Sequence, residues 1–225
     1  MTAMGCSAST AAASQPAPRS PKRKLEKLPK SFHALKVPDI RGNVIDFATF
    51  KGKVVLVINV ASRCGHAMKN YREMVGLYKR YGGPEFEIIA VPCNQFFNQE
   101  PGSNEDIEDF VRKQGGEFMV AGKCNVNGQN MSPLYRYLKK YCKDHGAVGW
   151  NFTKYLISKS GEIVERYGYK IYPYSFERDI VRLLDGDYSN RPPLPRYDDE
   201  PLCVNNILFN RPTMQQILTA GPSNF

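Results

Sequence analysis

Residues 54–81 read VVLVINVASRCGHAMKNYREMVGLYKRY, and this stretch decides the fold. Val54 to Val60 (VVLVINV) is a nearly unbroken aliphatic run of strand length, the pattern of a strand buried on both faces of a sheet. From about Ala67 to Tyr81 the pattern turns helical, so the chain passes from strand to helix across the residues between, and Cys64 lies in that turn. A cysteine there meets the first N–H groups of the helix and the positive end of its dipole, which favour the thiolate, the nucleophilic form of sulfur. Ser62 and Gly65 are small enough to let the backbone turn tightly and a substrate approach. The position would equally suit a cysteine acting as a small buried hydrophobe, and the turn alone does not separate the two readings.

Working outward, Phe86 to Val91 (FEIIAV) reads as a second buried strand opening into PCNQFFNQEPG (92–102), a polar, turn-rich loop. Further on, Gly149 to Leu156 (GWNFTKYL) holds the single tryptophan, Trp150, beside Asn151. Ser31 to Phe50 alternates around Arg41, Gly42 and Asn43 as a short hairpin does. Ser103 is placed to cap a helix running to about Lys113 and ended by Gly115 and Gly116, and Ser132 with Pro133 opens another. Tyr155 to Ser158 and Ile163 to Tyr167 predict a hairpin, and a last helix is expected from about Ser175 to Leu184. Parallel strands followed by helices, then an antiparallel hairpin, make an α/β mixed central sheet with helices on both faces.

The strings VINVASRCG, PCNQFFNQEPG, NVNG and WNFTKYL, in this order and spacing, resemble the glutathione peroxidase family over roughly residues 30–187. The resemblance implies a thioredoxin-like fold. It places Cys64 at the peroxidatic position, filled in this family by selenocysteine or cysteine, and matches Gln99, Trp150 and Asn151 to the polar residues around it. Such a site must present a thiolate to an O–O bond and support charge on the leaving oxygen, and side-chain amides and an indole N–H are donors suited to that. Taken singly, Trp150 would fit a core aromatic, and Gln99 and Asn151 would fit turn residues.

The implied activity is a thiol-dependent peroxidase that reduces hydrogen peroxide and organic or phospholipid hydroperoxides through a cysteine sulfenic acid. It binds no cofactor and uses glutathione as the reducing co-substrate. A thioredoxin-dependent peroxidase of the same family, or a slow redox sensor or scaffold, are the alternatives. The thioredoxin-using branch carries a resolving cysteine near the position of Arg112, which is not cysteine; Cys93, Cys124 and Cys142 stand elsewhere. Ala67 replaces a common threonine, and Phe97 stands where the family usually has glycine. The short segment between Tyr141 and Trp150 resembles the monomeric phospholipid-hydroperoxide branch.

The six cysteines show no CxxC and no metal-ligand spacing, and with three histidines no zinc site is expected. The net charge of +9 is uneven: residues 1–36 hold seven basic side chains against one acidic. The basicity therefore belongs mainly to the tail, and no nucleic-acid partner is expected of the domain. Residues 1–29, rich in Ala, Ser, Pro and Lys, read as a disordered tail, and residues 188–225 as an irregular, Pro-rich extension. With no signal-peptide pattern and no membrane-length apolar run, a cytoplasmic location is expected, and the resemblance to the monomeric branch implies a monomer. A mitochondrial presequence is the alternative, as is peripheral membrane attachment if translation starts at Met4, which would expose Gly5 for myristoylation beside Cys6.

Overall fold

The computed structural model describes residues 28–186. The expectations for both tails, including the Met4 to Cys6 acylation pattern, lie outside those residues. The described chain opens with β1 (Lys36–Pro38) and β2 (Val44–Asp46), antiparallel to each other, their turn held by Asp39 Oδ1 accepting from the amides of Arg41 and Asn43. Then follow β3 (Val54–Val60), α1 (Ala67–Tyr81), β4 (Phe86–Pro92), α2 (Asn104–Lys113), β5 (Met119–Val120), α3 (Pro133–Tyr141), β6 (Lys154–Ile157), β7 (Ile163–Tyr167) and α4 (Glu177–Leu184).

The main sheet has the order β5-β4-β3-β6-β7. β3 is central, parallel to β4 with Val54 opposite Phe86, and antiparallel to β6 with Ile58 opposite Lys154. β4 and β5 are parallel, and β6 and β7 form the expected hairpin. The six apolar side chains of β3 are all 0% exposed. Each such burial contributes about 1.5–3 kcal/mol, so the strand leading into the Cys64 turn is firmly anchored.

Local chemistry sets the helix starts. Ser103 and Asp106 form a reciprocal capping box at α2, and Ser132 accepts from the Tyr135 amide at α3 with Pro133 in the first turn. The sequence reading differs from the structure in four places. β6 starts and ends one residue earlier than Tyr155 to Ser158, at Lys154–Ile157. β4 runs one residue further, to Pro92. β5, only two residues long, carries too little periodicity to be seen in the sequence. α4 begins at Glu177 because Pro173 to Phe176 form a separate 3-10 turn.

The sheet divides the core into two layers. One, formed by α1, α2 and α4 on one face, contains Leu56, Ile58, Tyr71, Ile107, Ile180 and Cys64. The other, under the N-terminal hairpin and α3, contains Val55, Val57, Leu138, Tyr155, Cys93 and Cys142, with Cys124 packed against it. The turn before α4 packs tightly on α1: a Cβ on Gly76, in the middle of α1, would collide with the Tyr174 hydroxyl. That close approach accounts for a residue that otherwise costs helix stability.

Candidate active site

Cys64 lies in the turn between β3 and α1 and is 6% exposed. The turn is longer than a direct strand-to-helix junction. Cys64 donates its amide to the Ala61 carbonyl at 3.3 Å, and its own carbonyl accepts from the Ala67 amide at 2.9 Å. The sulfur thus sits three residues ahead of the first helical residue. His66, the N-cap, makes no side-chain capping bond.

The 94–100 loop is fastened to this turn. The Arg63 amide donates to the Gln99 carbonyl at 3.0 Å. The buried Glu100 carboxylate accepts from the Ser62 amide at 2.8 Å and from the Ser62 hydroxyl at 2.6 Å, while the Glu100 amide donates to Asn94 Oδ1 at 2.8 Å. Burial pushes the Glu100 carboxyl up, and the two Ser62 donors pull against that shift.

The WNF segment arrives from the other side. Asn151, 0% exposed, donates from Nδ2 to Gln99 Oε1 at 2.7 Å. With Gln99 Oε1 engaged, the Gln99 amide NH2 is the end left to meet a ligand. Asn151 Oδ1 is buried without a hydrogen-bond partner among the described residues. Trp150 is half-buried, its ring 5.8 Å from that of Phe96 and 5.4 Å from that of Phe97.

Backbone strain gathers here. Phe97, Asn98 and Phe152 have φ of 50°, 51° and 61°, the left-handed region that asparagine visits readily and that costs a residue such as phenylalanine roughly 1–2 kcal/mol. For Phe97 this gives a physical reason why glycine would suit the position. The side chain is nevertheless 82% exposed and stands beside Trp150.

The structure therefore brings Gln99, Trp150 and Asn151 together and ties them to the Cys64 turn. Asn59 is the residue the sequence reading passed over. This fully buried amide on β3 donates to the Trp150 carbonyl at 3.1 Å and accepts from the Thr153 amide at 3.0 Å, setting the register of the WNF turn. A single polar residue inside VVLVINV was the available signal. The bonds from Ser62, singled out in the sequence only for its size, to Glu100, and the aromatic side chains of His66, Tyr169 and Tyr172, were also missed, because each acts through a partner distant in the chain.

The remaining described cysteines lie apart. Cys93 and Cys142 belong to the opposite layer of the core from Cys64, and Cys124 packs against that layer. The Cys124 amide donates to the Pro92 carbonyl at 3.0 Å, which puts it beside Cys93 at the end of the β4 and β5 ladder. Burial pushes all three thiols up, Cys124 to about 11, so they are protonated and weakly nucleophilic near neutral pH.

The glutathione peroxidase family model matches residues 32–139. A protein of Mesembryanthemum crystallinum named "Probable phospholipid hydroperoxide glutathione peroxidase" is 46% identical over 161 residues, covering 69% of this chain and 94% of that one. An Arabidopsis thaliana protein named "Probable phospholipid hydroperoxide glutathione peroxidase 6, mitochondrial" is 44% identical, covering 69% of this chain and 68% of that one. Among solved structures, Trgpx in apo form is similar with a TM-score of 0.56 at 34% identity, covering 69% of this chain and 96% of that one. The fold is thioredoxin-like, and the chain belongs to the glutathione peroxidase family.

Proposed function

We propose that Cys64 is the peroxidatic nucleophile of this thiol-dependent peroxidase and that Gln99, Trp150 and Asn151 assist it. The observation that carries the assignment is the pair of bonds on Gln99: its carbonyl accepts from the Arg63 amide beside Cys64, and its side chain accepts from Asn151. The Cys64 thiolate attacks the terminal oxygen of ROOH, the O–O bond breaks with its electron pair on RO, and with one proton taken up the products are Cys64 sulfenic acid and ROH. The Gln99 amide NH2, the Asn151 amide and the Trp150 indole N–H offer hydrogen bonds to the oxygen on which charge develops. An external thiol then condenses with the sulfenic acid, releasing water and leaving a mixed disulfide, and a second thiol frees Cys64.

Glutathione is the reductant we favour. Cys93, Cys124 and Cys142 belong to the other side of the sheet and are protonated, which speaks against an internal resolving thiol. Phospholipid hydroperoxides fit the exposed Phe97 and Met68 and the names of both relatives. We read the protein as a cytoplasmic monomer capable of peripheral contact with a lipid surface, with a mitochondrial address as the second reading because one relative is named mitochondrial. Among the described residues no helix is long and apolar enough to cross a membrane.

Steady-state peroxide consumption with glutathione and with thioredoxin tests the reductant, alongside non-reducing peptide mapping after peroxide treatment. Turnover with glutathione and a Cys64–glutathione disulfide are expected. Preferential turnover with thioredoxin, together with an intramolecular disulfide to Cys64, would overturn the glutathione assignment.

A further inference from the structure

The contacts around Cys64 close into a ring. From Arg63 it passes to Gln99, to Asn151 and to its neighbour Trp150, whose ring lies 6.4 Å from that of Tyr169; Tyr169 lies 5.4 Å from the ring of His66, two residues beyond Cys64. The arc formed by Tyr169, His66 and Tyr172 completes the ring opposite Gln99. His66 Nδ1 and the Tyr172 hydroxyl are 2.8 Å apart. Tyr172 is itself held in place: Lys69 Nζ sits 3.9 Å from its ring centroid, and the preceding residue, Ile171, is fixed through its carbonyl, which accepts from the buried Lys154 Nζ at 2.6 Å.

We propose that His66, oriented by Tyr172, delivers the proton to the oxygen that leaves when Cys64 cleaves a hydroperoxide. This rests on the reading of Cys64 as the peroxidatic residue.

A hydroxyl partner suits the task. Tyr172 can donate to Nδ1 of the neutral imidazole and accept from Nδ1–H of the imidazolium, so His66 gains and loses a proton without losing its partner. In the imidazolium Nε2 carries the hydrogen to be given; once it is given, Nε2 is bare, Nδ1–H stays donated to the Tyr172 hydroxyl, and Nε2 is the end left to face the peroxide. Burial, then the charges of Glu73 and Cys64, push the Tyr172 phenol up, so it remains a neutral hydroxyl within electrostatic reach of the sulfur.

In the proposed step the Cys64 thiolate forms a bond to the terminal oxygen of ROOH. The O–O bond breaks with its electron pair on RO, and the imidazolium Nε2–H gives RO its proton. Cys64 leaves as sulfenic acid, oxidised by two electrons, the peroxide is reduced to ROH, and His66 is left neutral. The proton that the regenerated Cys64 thiol loses on ionising recharges the imidazole, which balances the cycle.

The test uses His66→Gln and, as the milder change, Tyr172→Phe in the full-length protein. Oxidation of Cys64 is followed by stopped-flow fluorescence of Trp150, the chain's only tryptophan. Each rate is divided by the rate of Cys64 alkylation with iodoacetamide, which corrects for thiolate content and access. Two oxidants are compared: tert-butyl hydroperoxide, whose leaving alkoxide needs a proton, and peracetic acid, whose leaving acetate does not.

The expected result is a loss of about a hundredfold or more with tert-butyl hydroperoxide for His66→Gln, a smaller loss for Tyr172→Phe, and no loss with peracetic acid. Equal losses with both oxidants would show that the pair only shapes the loop, and no loss with either would remove His66 from the chemistry; both results overturn the proposal. A parent protein whose Cys64 remains fully alkylatable after peroxide would refute the peroxidatic assignment itself, and the proposal with it.

Discussion

The two faces of the sheet put the same residue type in opposite circumstances. On the α1 face, Cys64 sits in a turn whose neighbours Ser62 and Arg63 are bonded to the buried Glu100 and to Gln99, and Gln99 in turn to the buried Asn151. On the other face, Cys93 and Cys142 are packed among Val57, Leu138 and Tyr155, and burial raises their thiols. Exposure does not distinguish the two sets, since Cys64, Cys93 and Cys142 are all buried and only Cys124 is partly exposed. What differs is placement: Cys64 stands in the turn whose neighbour Arg63 is tied to Gln99 and through it to Asn151, whereas the other three thiols lie on or against the opposite layer, where burial raises them.

The sharpest way to break this comparison is to exchange the sulfurs one at a time. Cys64→Ser is expected to abolish peroxide turnover, because a serine hydroxyl is not ionised near neutral pH. Cys93→Ser, Cys124→Ser and Cys142→Ser are each expected to retain activity within about twofold, since none is given a role in the cycle. Steady-state peroxide consumption measures all four. Loss of activity in Cys124→Ser comparable to that in Cys64→Ser would put a working thiol on the wrong face.

A second test removes the donors while leaving the sulfur. Gln99→Ala is expected to slow Cys64 oxidation by about 10²-fold, the usual cost of one preorganised donor, while the reduction of oxidised Cys64 by thiol changes much less. Separate measurement of the two half-reactions decides, and equal slowing of both would reduce Gln99 to a loop fastener for Arg63 and Asn151.

The α1 face also tolerates a buried cation, which makes its stability depend on pH. Burial lowers the Lys154 ammonium from 10.5 to about 7, with Glu73 opposing the shift. Between those values the unfolded chain binds a proton that the folded chain does not, so stability rises as pH increases from about 7 toward 10 and is lowest, on this account, below pH 7. Thermal melting of parent and Lys154→Met across that range should show a rise of several degrees in the parent that the variant lacks. Parallel curves would mean that Lys154 is fully charged and paired in the fold.

The smallest effect is expected at Phe97. Phe97→Gly releases a left-handed backbone position and should stabilise the protein by roughly 1 kcal/mol, less the extra chain entropy that glycine brings. It also bares one side of Trp150, so activity on bulky lipid hydroperoxides should fall more than activity on hydrogen peroxide. Equal activity on both substrates would leave Phe97 without a part in substrate contact.

Much of this was legible in the sequence. The limits of β3 and α1, the capped starts of α2 and α3 and the final hairpin follow from periodicity and cap residues acting over a few neighbours. The four expected site residues stand in contiguous strings, which is why a resemblance could single them out. β5 was not readable, because Met119 and Val120 become a strand only by pairing with Ile89 and Ala90.

By itself, then, the sequence determined which segments form strands and helices and where the candidate sulfur lies, because hydrophobic period and capping chemistry are local. Only the tertiary structure decided which thiols share a face, that Asn59 anchors the Trp150 turn, and that Tyr172 reaches back to His66. Those relations join residues up to 106 positions apart, and they exist only once the sheet has brought the ends of its strands together.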